Sequence, residues 1–113
     1  MSNRTVRYPR ATKRRVESDG TICVRYHNTD VVTIDPNGVI TLQSGGWYTN
    51  TTKHRMNQYA PDVYVFQKRG NWFVDWMGKT YDFADGMRLN PNGEVFAPVN
   101  GWSGVSKICK PVK

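Results

Sequence analysis

Residues 49 to 55, Thr-Asn-Thr-Thr-Lys-His-Arg, follow closely on the pair Gly45-Gly46 and bring hydroxyls, an amide and two fixed cations into one short run. These are groups that hold an oxyanion. Hydroxyls and free helix N–H groups donate to it, Lys53 and Arg55 supply charge, and glycines let the backbone come close. The run reads as the start of a short helix over about residues 51 to 59, capped by Thr49, Asn50 or Thr51 and stopped by Pro61. A helix start is partially positive and prefers Asp or Glu, so Lys53 and Arg55 there cost a few tenths of a kcal/mol each when solvated. A bound phosphate would reverse that sign. Gly45, Gly46, Thr49, Thr51, Thr52, Lys53 and Arg55 are therefore candidate anion-binding residues. In the alternative reading the cations reach into solvent, the glycines only turn the chain and Trp47 plugs the core.

A second source of phosphate contacts lies at the N-terminus. The chain has 113 residues and a net charge of +7, and six of its sixteen basic residues fall in residues 1 to 15: Arg4, Arg7, Arg10, Lys13, Arg14 and Arg15. No acid interrupts them, and the remaining residues are nearly neutral. A basic arm on a neutral domain suits nucleic acid phosphates; a solubilising tail or a tail for an acidic protein has the same composition. The arm is expected to be flexible and dispensable for folding, with residues 16 to 113 forming one β-rich domain.

Aromatic residues are dense between Tyr64 and Phe83. Val63 and Val65 share one face of a strand, Tyr64 and Phe66 the other, so both faces are apolar. Exposed rings beside Lys68, Arg69 and Lys79 would stack bases, with Tyr64, Phe66 and Trp76 as candidates; burial in the core is the competing explanation. Cys23, His27, His54 and Cys109 are metal-ligand types. However, Cys23 and His27 are about 13 Å apart along a strand, too far for one zinc. Neither a metal nor a cofactor is expected. Two cysteines make no disulfide framework, and their pairing stays open. There is no nucleophile elbow, phosphate loop or dinucleotide fingerprint, so no enzyme is expected. Nor is there an apolar run that could span a membrane or a signal-peptide core.

The elements that must position these groups are short strands. Thr21 to Tyr26 alternates. Val31 to Ile34 and Val39 to Leu42 flank the turn Asp35-Pro36-Asn37-Gly38, and two further hairpins turn near Arg69-Gly70-Asn71 and at Asn90-Pro91-Asn92-Gly93. The chain also echoes itself. Shifted by 55 positions, residues 26–47 lie over 81–102 with seven identities, among them Pro-Asn-Gly and Gly-Trp. This reads as two related β-units or as one turn-and-tryptophan device used twice, with Trp47 and Trp102 as buried plugs. Six to seven short strands and one helix predict a mainly β fold (β-rich α+β), either a small barrel or a strongly bent antiparallel sheet.

The run "TDVVTIDPNGVITLQSGGWYTNTTKHRMN" resembles small proteins encoded by bacteriophages and related mobile elements, which share a hairpin followed by an LxSGGWxTxTTKxRMN pattern. The resemblance covers residues 24 to about 75. It implies an accessory phage protein acting in the cytoplasm of the host bacterium. Such proteins commonly bind nucleic acid, or bind and inhibit a host protein such as a defence enzyme. The expected partner is thus nucleic acid, DNA or RNA, held by the basic arm and the Gly/Thr/Lys/Arg segment; the alternative is an acidic host protein.

Overall fold

The computed structural model describes residues 12–98 and 106–112. Ten strands and one helix follow the chain: β1 Thr12–Val16, β2 Ile22–Tyr26, β3 Thr29–Ile34, β4 Ile40–Leu42, α1 Asn50–Tyr59, β5 Val63–Lys68, β6 Asn71–Trp76, β7 Lys79–Asp82, β8 Met87–Leu89, β9 Val95–Pro98 and β10 Ser106–Ile108. They form two antiparallel sheets, one ordered β1-β2-β3-β4-β8-β9-β10 and the other β5-β6-β7. The fold is mainly β with one short helix, as the alternation and turn residues imply. Of the two expected forms the barrel does not appear: among the described residues β1 and β10 are the edges of the larger sheet. The strand count exceeds the expected six to seven because short pieces at both ends of the larger sheet add to the hairpins.

One apolar core joins the sheets. Val24, Val32, Ile40, Leu42, Met87 and Leu89 from the larger sheet pack with Val63, Val65, Trp72, Val74, Trp76 and Tyr81 from the smaller, and Met56 of α1 is fully buried among them. Trp76 is core rather than a stacking platform. It is 6% exposed, and its indole N–H donates to the Asn90 carbonyl at 3.0 Å, tying the smaller sheet to the turn before β9. A buried indole needs such a partner.

The two Pro-Asn-Gly turns are built alike. Asp35 N–H donates to Val39 and Gly38 N–H to Asp35; in the second turn Asn90 N–H donates to Glu94 and Gly93 N–H to Asn90. β4 and β8 pair side by side, Ile40 opposite Leu89, so the echoed hairpins are neighbours in one sheet. The echo therefore holds at the turns. Its tryptophan half does not hold for Trp47, which is 55% exposed and plugs nothing. Trp102 lies outside the described residues.

The smaller sheet has both edges covered. Asn57 of α1 mimics a strand against β5: its amide donates to the Val65 carbonyl at 2.9 Å, and its carbonyl accepts from Val65 N–H at 2.6 Å. At the other edge Val112 N–H donates to Thr80 of β7.

Candidate nucleic-acid interface

Strand β1 takes the last part of the basic stretch out of the arm. It pairs with β2 in the register Thr12–Tyr26, Lys13–Arg25, Arg14–Val24 and Arg15–Cys23. Lys13, Arg14, Arg15 and Arg25 line a shallow recess of about 470 Å³ on this edge. Two of the four are engaged. The Asp30 carboxylate receives both terminal nitrogens of Arg15 at 3.1 Å and Arg25 Nε at 3.1 Å, while Arg15 Nε also donates to Glu17 at 2.7 Å. These bonds, those from Arg15 foremost, hold the Asp30 carboxyl below the usual carboxylate range. They raise the Arg15 guanidinium in turn, Asp30 contributing more than Glu17. Lys13 and Arg14 make no side-chain hydrogen bond or ion pair among the described residues, and both are exposed. The strand takes residues 12 to 15 from the expected arm of residues 1–15, so a deletion of that arm would also remove most of β1 from the edge of β2. Arg4, Arg7 and Arg10 lie outside the described residues.

The segment that follows Gly45-Gly46 is a turn fixed from below. Ser44, fully buried, donates its N–H and its hydroxyl to Asp85 at 2.6 and 2.9 Å, and Gly46 N–H donates back to Ser44 Oγ at 3.0 Å. Gly45 has φ +65, and a Cβ there would sit 2.1 Å from Thr29 Oγ1, so contact with β3 explains this glycine. Thr49 is the N-cap of α1, its hydroxyl accepting from Thr52 N–H at 3.2 Å. Thr52 is fully buried with its hydroxyl against that of Thr49, and Thr51 is exposed.

The helix starts where the sequence places it, but its cations diverge. Lys53 donates to Gln67 Oε1 at 2.9 Å and stands 5.4 Å from the centroid of Trp72. Arg55 lies 6.0 Å from the centroid of Tyr26, with its Nε buried and without a hydrogen-bond partner. Both are half-buried. Residues two apart on a helix point about 200° apart, so Lys53 and Arg55 serve opposite sides. Arg55 belongs with the β1 edge, because Tyr26 is in register with Thr12, where β1 begins. Lys53 belongs with the smaller sheet.

On the outer face of that sheet Tyr64, Phe66 and Phe73 form a stacked row, with centroids 5.4 and 5.6 Å apart. Tyr64 is 57% exposed and the two phenylalanines are half-buried. Sequence reasoning named Tyr64 and Phe66 and missed Phe73, whose cross-strand pairing with Phe66 depends on the register of the hairpin. It also missed Tyr48. This ring is half-exposed, meets Trp72 edge-on at 4.9 Å, and donates its hydroxyl to Asp85 at 3.0 Å. Burial, with Asp85 adding to it, pushes the Tyr48 phenol up, so it stays a donor.

Among the described residues no group of three or more His, Cys, Asp or Glu could hold a metal ion. Cys23 and Cys109 are free thiols, both pushed up chiefly by burial. No helix of the described residues is long and apolar enough to cross a membrane.

The molecule is thus a two-sheet β protein with a cationic edge strand and an outward row of rings. Residues 2–90 match the model of the Kyanoviridae Gp96 protein family, and the chain belongs to that family of phage proteins. Neither a curated protein nor a solved structure matches it.

Proposed function

We propose that this phage protein is a non-enzymatic nucleic-acid-binding accessory protein, working in the cytoplasm of the host bacterium. The observation that carries the reading is the edge strand β1, where Lys13 and Arg14 stand exposed and without carboxylate partners beside Arg15 and Arg25. Side chains alternate along a strand, so Lys13 and Arg15 share the face of Arg25, about 6.6 Å apart, and Arg14 projects from the other face; at the edge of the sheet both faces can meet a phosphate backbone. Arg55 adds a fixed cation on the same side as the start of β1. The arm, with Arg4, Arg7 and Arg10, continues the basic run from that point. The row Tyr64–Phe66–Phe73 offers stacking surface for unpaired bases. In this reading the 49–55 segment contributes through Lys53 and Arg55 separately rather than as one cradle at the helix end.

The test is a filter-binding titration of the double variant Lys13→Glu/Arg14→Glu against labelled single- and double-stranded DNA and RNA. Both side chains are exposed, so the fold should persist while affinity falls at least about tenfold at low salt. Unchanged affinity for every nucleic acid would remove the reading.

A second reading has its own observation. Trp47 stands exposed at the tip of the Gly45-Gly46 turn, and its one ring neighbour among the described residues is His27, with centroids 6.3 Å apart. An exposed tryptophan on a fixed turn is a common anchor for a protein partner. A host protein retained by the wild type after nuclease treatment, and lost with Trp47→Ala, would favour inhibition of a host protein.

A further inference from the structure

The larger sheet has two faces, and one of them meets the core. Val24, Val32, Leu42 and Met87 point inward, where α1 and the smaller sheet pack. Side chains alternate along a strand, so the residues between these point outward. The register lines them up in one row across the sheet: Arg15, Cys23, Thr33, Thr41, Arg88 and Phe96. Ile108 of β10 follows Phe96 in that row and is half-exposed. Among the described residues no helix or strand lies over it.

A recess of about 480 Å³ opens at the β8–β9 end of the row, lined by Asp35, Val39, Thr41, Arg88, Asn90 and Phe96. Asp35, Val39 and Asn90 continue the outward positions of β3, β4 and β8, so the whole lining belongs to this face. Asp35 is engaged within its own turn, accepting from the Asn37 and Val39 N–H groups at 2.9 Å. Arg88 is exposed and, like the Thr41 hydroxyl, makes no side-chain hydrogen bond or ion pair among the described residues. In the register it stands between Thr41 and Phe96. A free guanidinium thus has a free hydroxyl on one side and a half-buried ring on the other. At the far end of the same face Lys13 is a second free cation, with Arg25 as its cross-strand neighbour. The acids at that end, Glu17 and Asp30, are both bonded to Arg15. β1 and β8 are four strand spacings apart. At about 4.8 Å for each spacing, Lys13 and Arg88 stand about 20 Å apart.

We propose that a single strand of nucleic acid crosses the outer face of the larger sheet from Lys13 to Arg88, with one base stacked on Phe96. Its phosphates meet Lys13 at one end and Arg88 with the Thr41 hydroxyl at the other. Thr33 and Thr41 are short and leave the way between them open. Ile108 extends the apolar surface under the base. A duplex offers phosphates but keeps its bases stacked on each other, whereas an unpaired strand frees a ring face for an aromatic platform. A second copy of the chain fits this face less well. Glu17, Asp30 and Asp35 are already hydrogen-bonded, so a two-fold contact would leave Lys13 and Arg88 facing no free carboxylate. The inference rests on the nucleic-acid reading above and adds to it the strandedness and the path.

The experiment compares the full chain, Arg88→Ala, Phe96→Leu, Phe96→Tyr and Lys13→Glu/Arg14→Glu by fluorescence anisotropy over a series of salt concentrations. The probes are a labelled oligothymidylate and a labelled duplex of the same length. Arg88→Ala should weaken the single strand and reduce its salt slope by about 0.7, one phosphate contact. Phe96→Leu should weaken the single strand by about tenfold at an unchanged salt slope, the scale of one stacked base. Phe96→Tyr keeps a ring and should bind as the wild type does. None of these three should alter duplex binding, while Lys13→Glu/Arg14→Glu should weaken both probes. Arg88 is exposed, so its variant reports on binding even if Phe96→Leu melts early. If Arg88→Ala binds the single strand as the wild type does, or loses duplex binding equally, the path across this face is wrong while the nucleic-acid reading stands. If Arg88→Ala and Phe96→Leu keep every probe but dissociate a dimer in sedimentation, the face joins two copies of the chain and the proposal falls. If neither probe binds the wild type, the underlying reading fails and this one with it.

Discussion

Ser44 and Asp85, 41 residues apart in sequence, are joined by two hydrogen bonds, from the Ser44 N–H at 2.6 Å and from its hydroxyl at 2.9 Å. Tyr48 donates to the same carboxylate. One acid thus anchors the end of β4, the Gly45-Gly46 turn and the Tyr48 ring. Asp85→Ala would leave two donors of a fully buried serine without an acceptor. It should cost about 3 kcal/mol in a urea melt, and Asp85→Asn less, since its amide oxygen still accepts.

The two glycines beside Ser44 should respond differently. Gly45→Ala drives a methyl into Thr29 at a left-handed backbone position and should lower stability by several kcal/mol, about the cost of a clash with added strain. Gly46 also has a left-handed φ, but nothing lies within 4 Å of an added Cβ. Gly46→Ala should cost about 1 kcal/mol. Comparable thermal shifts in the two variants would contradict this packing.

Two tight hairpin turns carry a bulky residue where asparagine is favoured. Arg69-Gly70 and Met77-Gly78 have φ values of 54 and 81, and of 49 and 80. Turns with both central residues at positive φ prefer Asn-Gly. Arg69→Asn and Met77→Asn should each raise stability by about 0.5–1 kcal/mol, the scale on which left-handed backbone is penalised. Only Arg69→Asn should also weaken oligonucleotide binding. Equal binding by both variants would show that the cation at Arg69 is not used.

The pH response of the β1 edge follows from Asp30. Its folded value lies below its ordinary one, so the stability it contributes is complete above about pH 4 and is lost as pH falls through the folded value. Asp30 is partly exposed, which screens the effect to about 1 kcal/mol or less. Asp30→Asn should flatten the acid limb of a stability profile below about pH 4 and leave the neutral range parallel to wild type. An unchanged acid limb would mean that these arginine contacts do not persist in solution.

The hairpins were legible because turn chemistry is local: Pro-Asn-Gly twice, and Arg-Gly-Asn once, each between β-rich runs. The helix was legible from its capping threonine and the proline that stops it. Strand β1 was not. Lys13-Arg14-Arg15 shows no alternation of polar and apolar residues, and the strand exists because β2 offers an unpaired edge and Asp30 on β3 receives Arg15. The site was legible in its parts and not in its assembly. The side chains of Lys53 and Arg55 were readable as cations, but which rings they meet depends on how α1 lies against β2, β3 and β5.

Contact between β1 and phosphates shows most directly in the salt dependence of binding. The direct measurement is the affinity of the full chain for a labelled single-stranded oligonucleotide across a series of salt concentrations. Binding at low salt is expected, with a linear fall of log K with log salt that steepens by about 0.7 for each phosphate neutralised. Lys13→Glu/Arg14→Glu should reduce that slope by about 1.4 or more. An absence of binding at low salt, or an affinity that does not change with salt, would contradict it.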